Sequence, residues 1–205
     1  MALISDQEQD RISAAIAAAE KATSGEIVCV VTMASASYAY VPPLIAAAIA
    51  LIMPWPLIYL TWMPVQQIYL LQLLVFFLMG AVTAWRPLRM ALVPASVKTD
   101  RAHRRAVEQF VAQNLYTTAG RTGVLIFVSV AEHYAEIIAD QHIYERVPKA
   151  TWQSIVDGLT LRIGDGQPAD GFIFAIEKAG ALLAEHYLPG SIDSNELPNH
   201  LIVID

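Results

Sequence analysis

Four carboxylates stand at the places in this chain where a binding site is most readily built. Asp140 and Glu145 follow a predicted strand, and Asp165 and Asp170 border the loop between two predicted helices. Because open α/β sheets bind ligands at the ends of strands, these side chains could hold calcium or magnesium through oxygen ligands. The alternative is structural, with Asp140 capping a turn and Asp170 capping the N-terminus of a helix. The structural interpretation is the stronger one, since the spacing of an EF-hand is absent.

The signatures of common catalytic centres are absent from the sequence. Ser129 lies inside a predicted strand and not in the Gly-x-Ser-x-Gly turn of a hydrolase nucleophile. Residues 164–166 lack the lysine and the preceding strand of a phosphate-binding loop. The single cysteine, Cys29, lies in an apolar β-branched run and is predicted to be buried. The sequence therefore predicts no catalytic constellation.

The elements that would position these side chains follow from hydrophobic periodicity and turn signals. Ser5 and Glu8 form a capping box at the start of the first helix. Continuous β-branched runs are typical of strands that are buried on both faces. Helices are predicted at about residues 5–22, 99–115, 149–163 and 169–187, and strands at 26–33, 124–130 and 134–139, with a mostly irregular tail from residue 189.

The largest feature of the sequence is a 59-residue stretch, 27–85, without a single Asp, Glu, Lys or Arg. Two apolar runs, 41–62 and 68–85, each approach the ~20 residues that cross a bilayer, and the turn 63–67 joins them into a hairpin. Pro54 and Pro56 should kink the first run and leave backbone carbonyls in need of a neighbouring helix. The alternative is a pair of core helices in a soluble bundle, but such helices rarely lack all charge over this length.

The charges outside this stretch predict an orientation. Six of the thirteen basic residues follow the second run closely: Arg86, Arg89, Lys98, Arg101, Arg104 and Arg105. The positive-inside rule then predicts a multi-pass protein of the plasma membrane, with both ends and the soluble domain in the cytoplasm. The basic collar indicates attraction to anionic lipid headgroups and not to nucleic acid. An even number of crossings also allows the buried strands on either side of the hairpin to share one sheet.

Two segments of the α/β part have a distinctive sequence, residues 121–129 (RTGVLIFVS) and 136–143 (EIIADQHI), and Trp152, the helix start at 169–171 and the segment 196–201 accompany them. On these residues the α/β part resembles the TPM domain family, in a bacterial membrane branch. The resemblance covers residues 98–201 and, more loosely, 5–33. It implies an α/β fold, a compact sandwich with a small mixed sheet. The predicted parts are a first helix and strand (1–37), a transmembrane hairpin (38–86), the rest of the domain (87–188) and a C-terminal tail (189–205).

The resemblance implies two kinds of function. Some members of the family are associated with acid phosphatase activity and calcium binding, while others act as accessory factors for membrane complexes. Members regarded as phosphatases carry a Gly-Tyr-Gly-Leu-Glu-Gly segment after the third strand, and residues 139–148 of this chain lack those glycines. We therefore predict a non-enzymatic, membrane-anchored module that binds a membrane protein partner or self-associates through the hairpin. The alternative is a metal-dependent phosphatase that uses Asp140, Glu145, Asp165 and Asp170.

Overall fold

The chain divides into two units, which are described separately. The computed structural model describes residues 4–118, 120–188, 197 and 199–204. One unit consists of Met1–Ser35 and Arg101–Asp205, and the other of Ala36–Asp100. The helices are α1 (Asp6–Glu20), α2 (Val41–Ile52), α3 (Pro54–Leu60), α4 (Val65–Ala84), α5 (Arg86–Leu92), α6 (Ala95–Ala112), α7 (Gln141–Tyr144), α8 (Lys149–Gly164) and α9 (Pro168–His186), and the strands are β1 (Glu26–Thr32), β2 (Gly123–Ser129), β3 (Tyr134–Ala139) and β4 (Leu201–Ile204).

The strands form one mixed sheet in the order β3-β2-β1-β4. β1 runs parallel to β2, with Glu26 opposite Gly123 and Thr32 opposite Ser129, and β3 pairs with β2 in the antiparallel direction. The prediction that the two buried strands on either side of the hairpin share one sheet is therefore confirmed. All seven residues of β1 and of β2 are buried, as expected for central strands covered on both faces.

The two faces of the sheet bury alternate residues of each strand. Cys29 and Val31 of β1 point into a core that α1, α8 and α9 complete. Val28 and Val30 point to the other face, where Ala106 of α6 packs against them. The predicted α/β sandwich with a small mixed sheet is confirmed, and burial raises the pKa of the Cys29 thiol far above its ordinary range.

Helix bounds follow local sequence signals closely. Ser5 caps α1 through the predicted capping box, since its hydroxyl accepts a hydrogen bond from the backbone N–H of Glu8 while the Glu8 carboxylate accepts one from the N–H of Ser5. Two short helices, α5 and α7, and the strand β4 were not predicted. β4 lies in the tail that was expected to be mostly irregular. Four residues are too few to show a period, and β4 is fixed by parallel pairing with β1. Residues 189–196, 198 and 205 of that tail lie outside the described residues.

The unit Ala36–Asp100 is built from α2 to α5 and the start of α6. The first apolar helix is interrupted at Met53, so that α2 ends before Pro54 and α3 begins there. A small core of Tyr38, Val41 and Val93 lies at the base of α2. Segments Val41–Leu60 and Val65–Ala84 are each 20 residues long and apolar enough to cross a membrane by length and composition.

Candidate functional site

The two apolar helices pack against each other through small side chains. Ala46 and Ala50 of α2 are buried, and so is Thr83 of α4. A Cβ added to Gly80 would lie 3.9 Å from the Cβ of Ala46. The Thr83 hydroxyl donates a hydrogen bond to the carbonyl of Met79 at 2.6 Å, so its polar group is satisfied within its own helix. Small residues at such a contact allow helix backbones to approach closely.

The large apolar side chains of the same helices point outward. Among the exposed ones are Leu60, Trp62, Leu74 and Phe77, and the side chain of Phe77 is 69% exposed. Only 22% of the first segment and 11% of the second is buried. A helix in the core of a soluble protein shows the reverse arrangement, with large apolar residues inside. The surface of this unit is therefore rich in large apolar side chains.

A polar notch interrupts this apolar surface at the helix break. Pro54 and Pro56 have no N–H, so the carbonyls of Ala50 and Ile52 lose the donors that lie four residues ahead. Ala46 faces Gly80, and the two helices of the hairpin run in opposite directions. Pro54 is eight residues after Ala46 and Gln72 is eight residues before Gly80, so Gln72 lies at about the level of Pro54. Gln72 is half-buried, and its amide makes no side-chain hydrogen bond within residues 4–118 and 120–188. Because Ala50 is buried and Ile52 is exposed, the acceptor left at the surface is the Ile52 carbonyl, at about the same depth in the hairpin as the Gln72 amide.

A second polar cluster lies where the parallel strands β1 and β2 end. The Glu132 carboxylate is buried and accepts a hydrogen bond from the backbone N–H of Ser35, at 3.1 Å to each oxygen. The hydroxyl of Ser129 donates to the same carboxylate through a short hydrogen bond, and the Ser35 hydroxyl donates to Ser129 at 2.7 Å. Ser129 is 1% exposed. A serine that is buried and bonded in this way holds a loop and is closed to a substrate.

The two predicted carboxylates after β3 belong to the residues at either end of the short helix α7. Asp140 is its N-cap and accepts a hydrogen bond from the N–H of His142 at 3.2 Å, as the structural interpretation predicted. Glu145 is its C-cap, and its carboxylate accepts a hydrogen bond from the Gln141 amide at 3.2 Å. Asp140 thus caps this four-residue helix through its carboxylate, whereas Glu145 takes the C-cap position through its backbone and uses its carboxylate to hold Gln141.

The other two predicted carboxylates serve helix ends and an ion pair. Asp165 is the C-cap of α8. The structural interpretation predicts that Asp170 caps the N-terminus of α9. The N-cap is instead Gln167, and Asp170 lies in the first turn of the helix. Its carboxylate instead pairs with Arg11 of α1 at 2.6 Å. Among the described residues, no three His, Cys, Asp or Glu side chains are grouped to hold a metal ion, so Asp140, Glu145, Asp165 and Asp170 do not come together.

A third polar group lies on the sheet face that α6 covers. His103 of α6 contacts Glu136 of β3 at 2.9 Å, and the Tyr134 hydroxyl donates to the same carboxylate at 2.9 Å. Burial raises the pKa of Tyr134 above its ordinary range, and the negative charge of Glu136 raises it further. These side chains link α6 to the edge strand, and His103 is half exposed.

A shallow groove of about 380 Å³ runs between α8 and α9. Its polar lining side chains include Ser154, Lys178 and Glu185. None of the four predicted carboxylates lines this groove. It offers mixed polar and apolar contacts without a nucleophile held by a base.

Comparison with known proteins identifies a domain family within the chain. Residues 87–182 match the family model described as the TPM domain. This segment is a TPM domain. The fold of the BA42 protein from the psychrophilic bacterium Bizionia argentinensis, determined by NMR, is similar, with a TM-score of 0.61 and 22% sequence identity over 98% of this chain and 94% of that one. No curated protein matches the chain.

The TPM domain carries polar groups that sequence reasoning did not find. Glu132 lies in the short segment between two predicted strands and Ser35 in the uncharged stretch, so the sequence marks neither as a site residue. The two residues are far apart in sequence, and only the parallel pairing of β1 with β2 brings them together. A buried carboxylate in a short turn beside a fully apolar strand is the one signal that could have pointed to this cluster.

Proposed function

We propose that this protein is a membrane-anchored TPM-domain protein whose hairpin, α2 to α4, crosses the bilayer twice. One observation carries the proposal: the hairpin buries the small residues Ala46, Ala50 and Thr83 together with Ile68, and it exposes many large side chains, among them Leu74 and Phe77. In water this surface would be costly, at roughly 25 cal/mol per Å² of apolar area, whereas in lipid it costs little. Small residues inside and large ones outside are typical of packed helices in membranes.

The sheet supports an even number of crossings. β1 lies before the hairpin and β2 after it, and the two strands pair side by side over seven residues. This pairing supports a hairpin whose two ends return to the same side of the membrane. The six basic residues that follow the hairpin, from Arg86 to Arg105, favour the cytoplasmic face of the plasma membrane for the TPM domain.

The proposed role is to bind a membrane-embedded partner protein as an accessory factor, not to catalyse a reaction. The polar notch formed by the carbonyl of Ile52, which is exposed, and the amide of Gln72 supports this role. Polar groups at this depth are costly when they face lipid and are satisfied by hydrogen bonds from a neighbouring helix. A partner helix that carries a side-chain donor, in another protein or in a second copy of this chain, fits the notch.

Membrane insertion is tested on the full-length protein in cells. We expect it to remain in the membrane fraction after carbonate extraction and to require detergent for release. Tags at the two ends should be protected or digested together when protease is added to one face of the membrane. A protein that stays in the soluble fraction would contradict the proposal, and so would tags on opposite faces.

Partner binding is tested with a photo-crosslinking residue at position 72 and a matched control at Leu74, which is 62% exposed. We expect protein adducts from position 72 and mainly lipid adducts from position 74. An absence of protein adducts at position 72 would remove the notch from the proposal. Hydrolysis of a phosphate ester by the detergent-purified protein, abolished by Asp140→Asn, would replace the accessory role with the phosphatase alternative.

A further inference from the structure

The short helix α5 follows the second apolar helix with a single residue between them. Trp85 ends α4 in an extended conformation and is 70% exposed. Arg86 and Arg89, three residues apart on α5, project from the same side of the helix. The Lys98 ammonium donates to the carbonyl of Met90 at 3.4 Å, which brings a third cation to the C-terminal end of α5. We call Arg86, Arg89 and Lys98 the α5 basic site.

Apolar packing fixes α5 against the base of the first helix. Met90 of α5 packs against the core formed by Tyr38, Val41 and Val93. All of these residues belong to the unit Ala36–Asp100. This packing holds the cations of the α5 basic site close to the end of the hairpin.

The two arginines have unused capacity to bind an anion. The Nε atom of Arg89 is shielded from solvent, and no side-chain hydrogen bond of Arg89 is present in the described part of the chain, so the terminal N–H groups of its guanidinium are the donors that an anion can reach. Arg86 is exposed, and neither arginine forms an ion pair with a carboxylate among residues 4–118 and 120–188. A guanidinium presents several N–H donors in a planar fork that matches the oxygen atoms of a phosphate group. Two such forks on one side of a helix suit a phosphodiester.

We propose that the α5 basic site binds the headgroup of an anionic phospholipid, and this rests on the proposed membrane insertion of the hairpin. The occupant follows from the position of the site. It begins one residue after an apolar helix whose large side chains are exposed, and Trp85 stands at the junction, as interfacial tryptophans do. Leu92, 41% exposed, gives α5 an apolar side chain beside its cations. A helix with both features lies in the headgroup region of a bilayer.

The test uses the full-length protein in neutral detergent and measures its thermal unfolding midpoint with added lipid. Phosphatidylglycerol, phosphatidylcholine and inorganic phosphate are compared, and binding of the two lipids is quantified by native mass spectrometry. We expect phosphatidylglycerol to raise the midpoint and to bind roughly tenfold more tightly than phosphatidylcholine, because each cation near an anionic surface adds a several-fold preference. Inorganic phosphate alone should give no comparable shift.

The variant R86Q/R89Q should lose most of the preference for phosphatidylglycerol. The matched control K149Q/K178Q removes the same charge from two exposed lysines of the other unit and should keep it. R86K/R89K retains the charge and should restore at least part of the preference, which separates charge from misfolding. An unchanged preference in R86Q/R89Q would overturn the inference, and so would equal stabilisation by inorganic phosphate. If the wild-type protein stays in the membrane during carbonate extraction but shows no preference for phosphatidylglycerol, only this site is overturned. If carbonate extraction releases the protein, the proposed function is overturned.

Discussion

The buried carboxylate of Glu132 holds the backbone N–H of Ser35 between its two oxygens, at 3.1 Å from each. Glu132 lies in the turn that joins β2 to β3, and Ser35 is the last residue of its unit before the chain enters Ala36–Asp100. The bond thus ties the point at which the chain leaves the sheet to a neighbouring turn of the same sheet. Ser129, at the end of β2, completes the link through its hydroxyl.

Removal of this carboxylate should loosen the end of β1. In Glu132→Ala the N–H of Ser35 and the hydroxyl of Ser129 lose their acceptor, and a buried donor left without a partner costs about 1–3 kcal/mol. We expect faster alkylation of the buried Cys29 in the detergent-solubilised protein, because Cys29 lies on β1 and reacts only when the sheet opens. Alkylation is followed by mass spectrometry over time.

The control for this measurement is Glu177→Ala, which removes a carboxylate from an exposed position of α9. Its rate of Cys29 alkylation should match that of the wild type. Equal alkylation rates in Glu132→Ala and Glu177→Ala would show that the Ser35–Glu132 bond contributes nothing to the closure of the sheet.

Sequence reasoning predicted the parts of this fold that are set by local pattern. The burial of β1 and β2 follows from their β-branched runs, and the capping box of Ser5 and Glu8 from its four-residue signature. The strand β4 could not be predicted, since four residues show no period and its pairing with β1 is a contact between distant parts of the chain. Asp170 was misplaced because a helix start with Pro168 shifts the cap to Gln167.

The candidate site was less predictable than the fold, for the same physical reason. No pattern along the sequence indicates that Ser35 and Glu132 are in contact, because this contact depends on how the sheet is assembled. The apolar hairpin could be predicted because its signal is the composition of a continuous segment. Its insertion in a bilayer stays a prediction.

The helix register of the hairpin can be tested by a disulfide. A Cβ at position 80 would lie 3.9 Å from the Cβ of Ala46, within the range that disulfides span. In a Cys29→Ser background, Ala46→Cys with Gly80→Cys should form an intramolecular disulfide when the membrane fraction is oxidised. Intact mass and electrophoretic mobility before and after reduction report it.

The matched control moves one cysteine by a single residue, to Ala81, which is exposed. Because this position points away from α2, cross-linking with Cys at position 46 should be much slower. Equal rates at positions 80 and 81 would contradict the register of α2 and α4.

The contact between α1 and α9 depends on a glycine. A Cβ at Gly180 would lie 2.7 Å from the Cβ of Ala19, which is closer than two such atoms can approach. Gly180→Ala should therefore force the helices apart and lower the free energy of unfolding by about 1–3 kcal/mol. Chemical denaturation of the detergent-solubilised protein measures the change.

Gly164 provides the matched substitution at a helix end. Nothing lies within 4 Å of a Cβ built there, so Gly164→Ala should be neutral or slightly stabilising. If both alanine variants unfold at the same denaturant concentration, the close packing of α1 on α9 is not present in solution.

The phenol of Tyr134 should make the TPM domain sensitive to alkaline pH. Burial and the charge of Glu136 raise the pKa of Tyr134 in the folded chain above its ordinary value of 10.0. Below pH 10 the phenol is neutral in both states and its contribution to stability is fully present. As the pH rises above 10, the unfolded chain ionises first and is favoured, so the free energy of unfolding falls until the pH reaches the pKa of Tyr134 in the folded chain.

The unfolding midpoint, measured from pH 8 upward, should fall less in Tyr134→Phe than in the wild type. Tyr116→Phe, which alters an exposed tyrosine, should follow the wild type. Parallel curves for wild type and Tyr134→Phe would mean that Tyr134 ionises as freely in the folded chain as in the unfolded one, and that its contact with Glu136 does not persist.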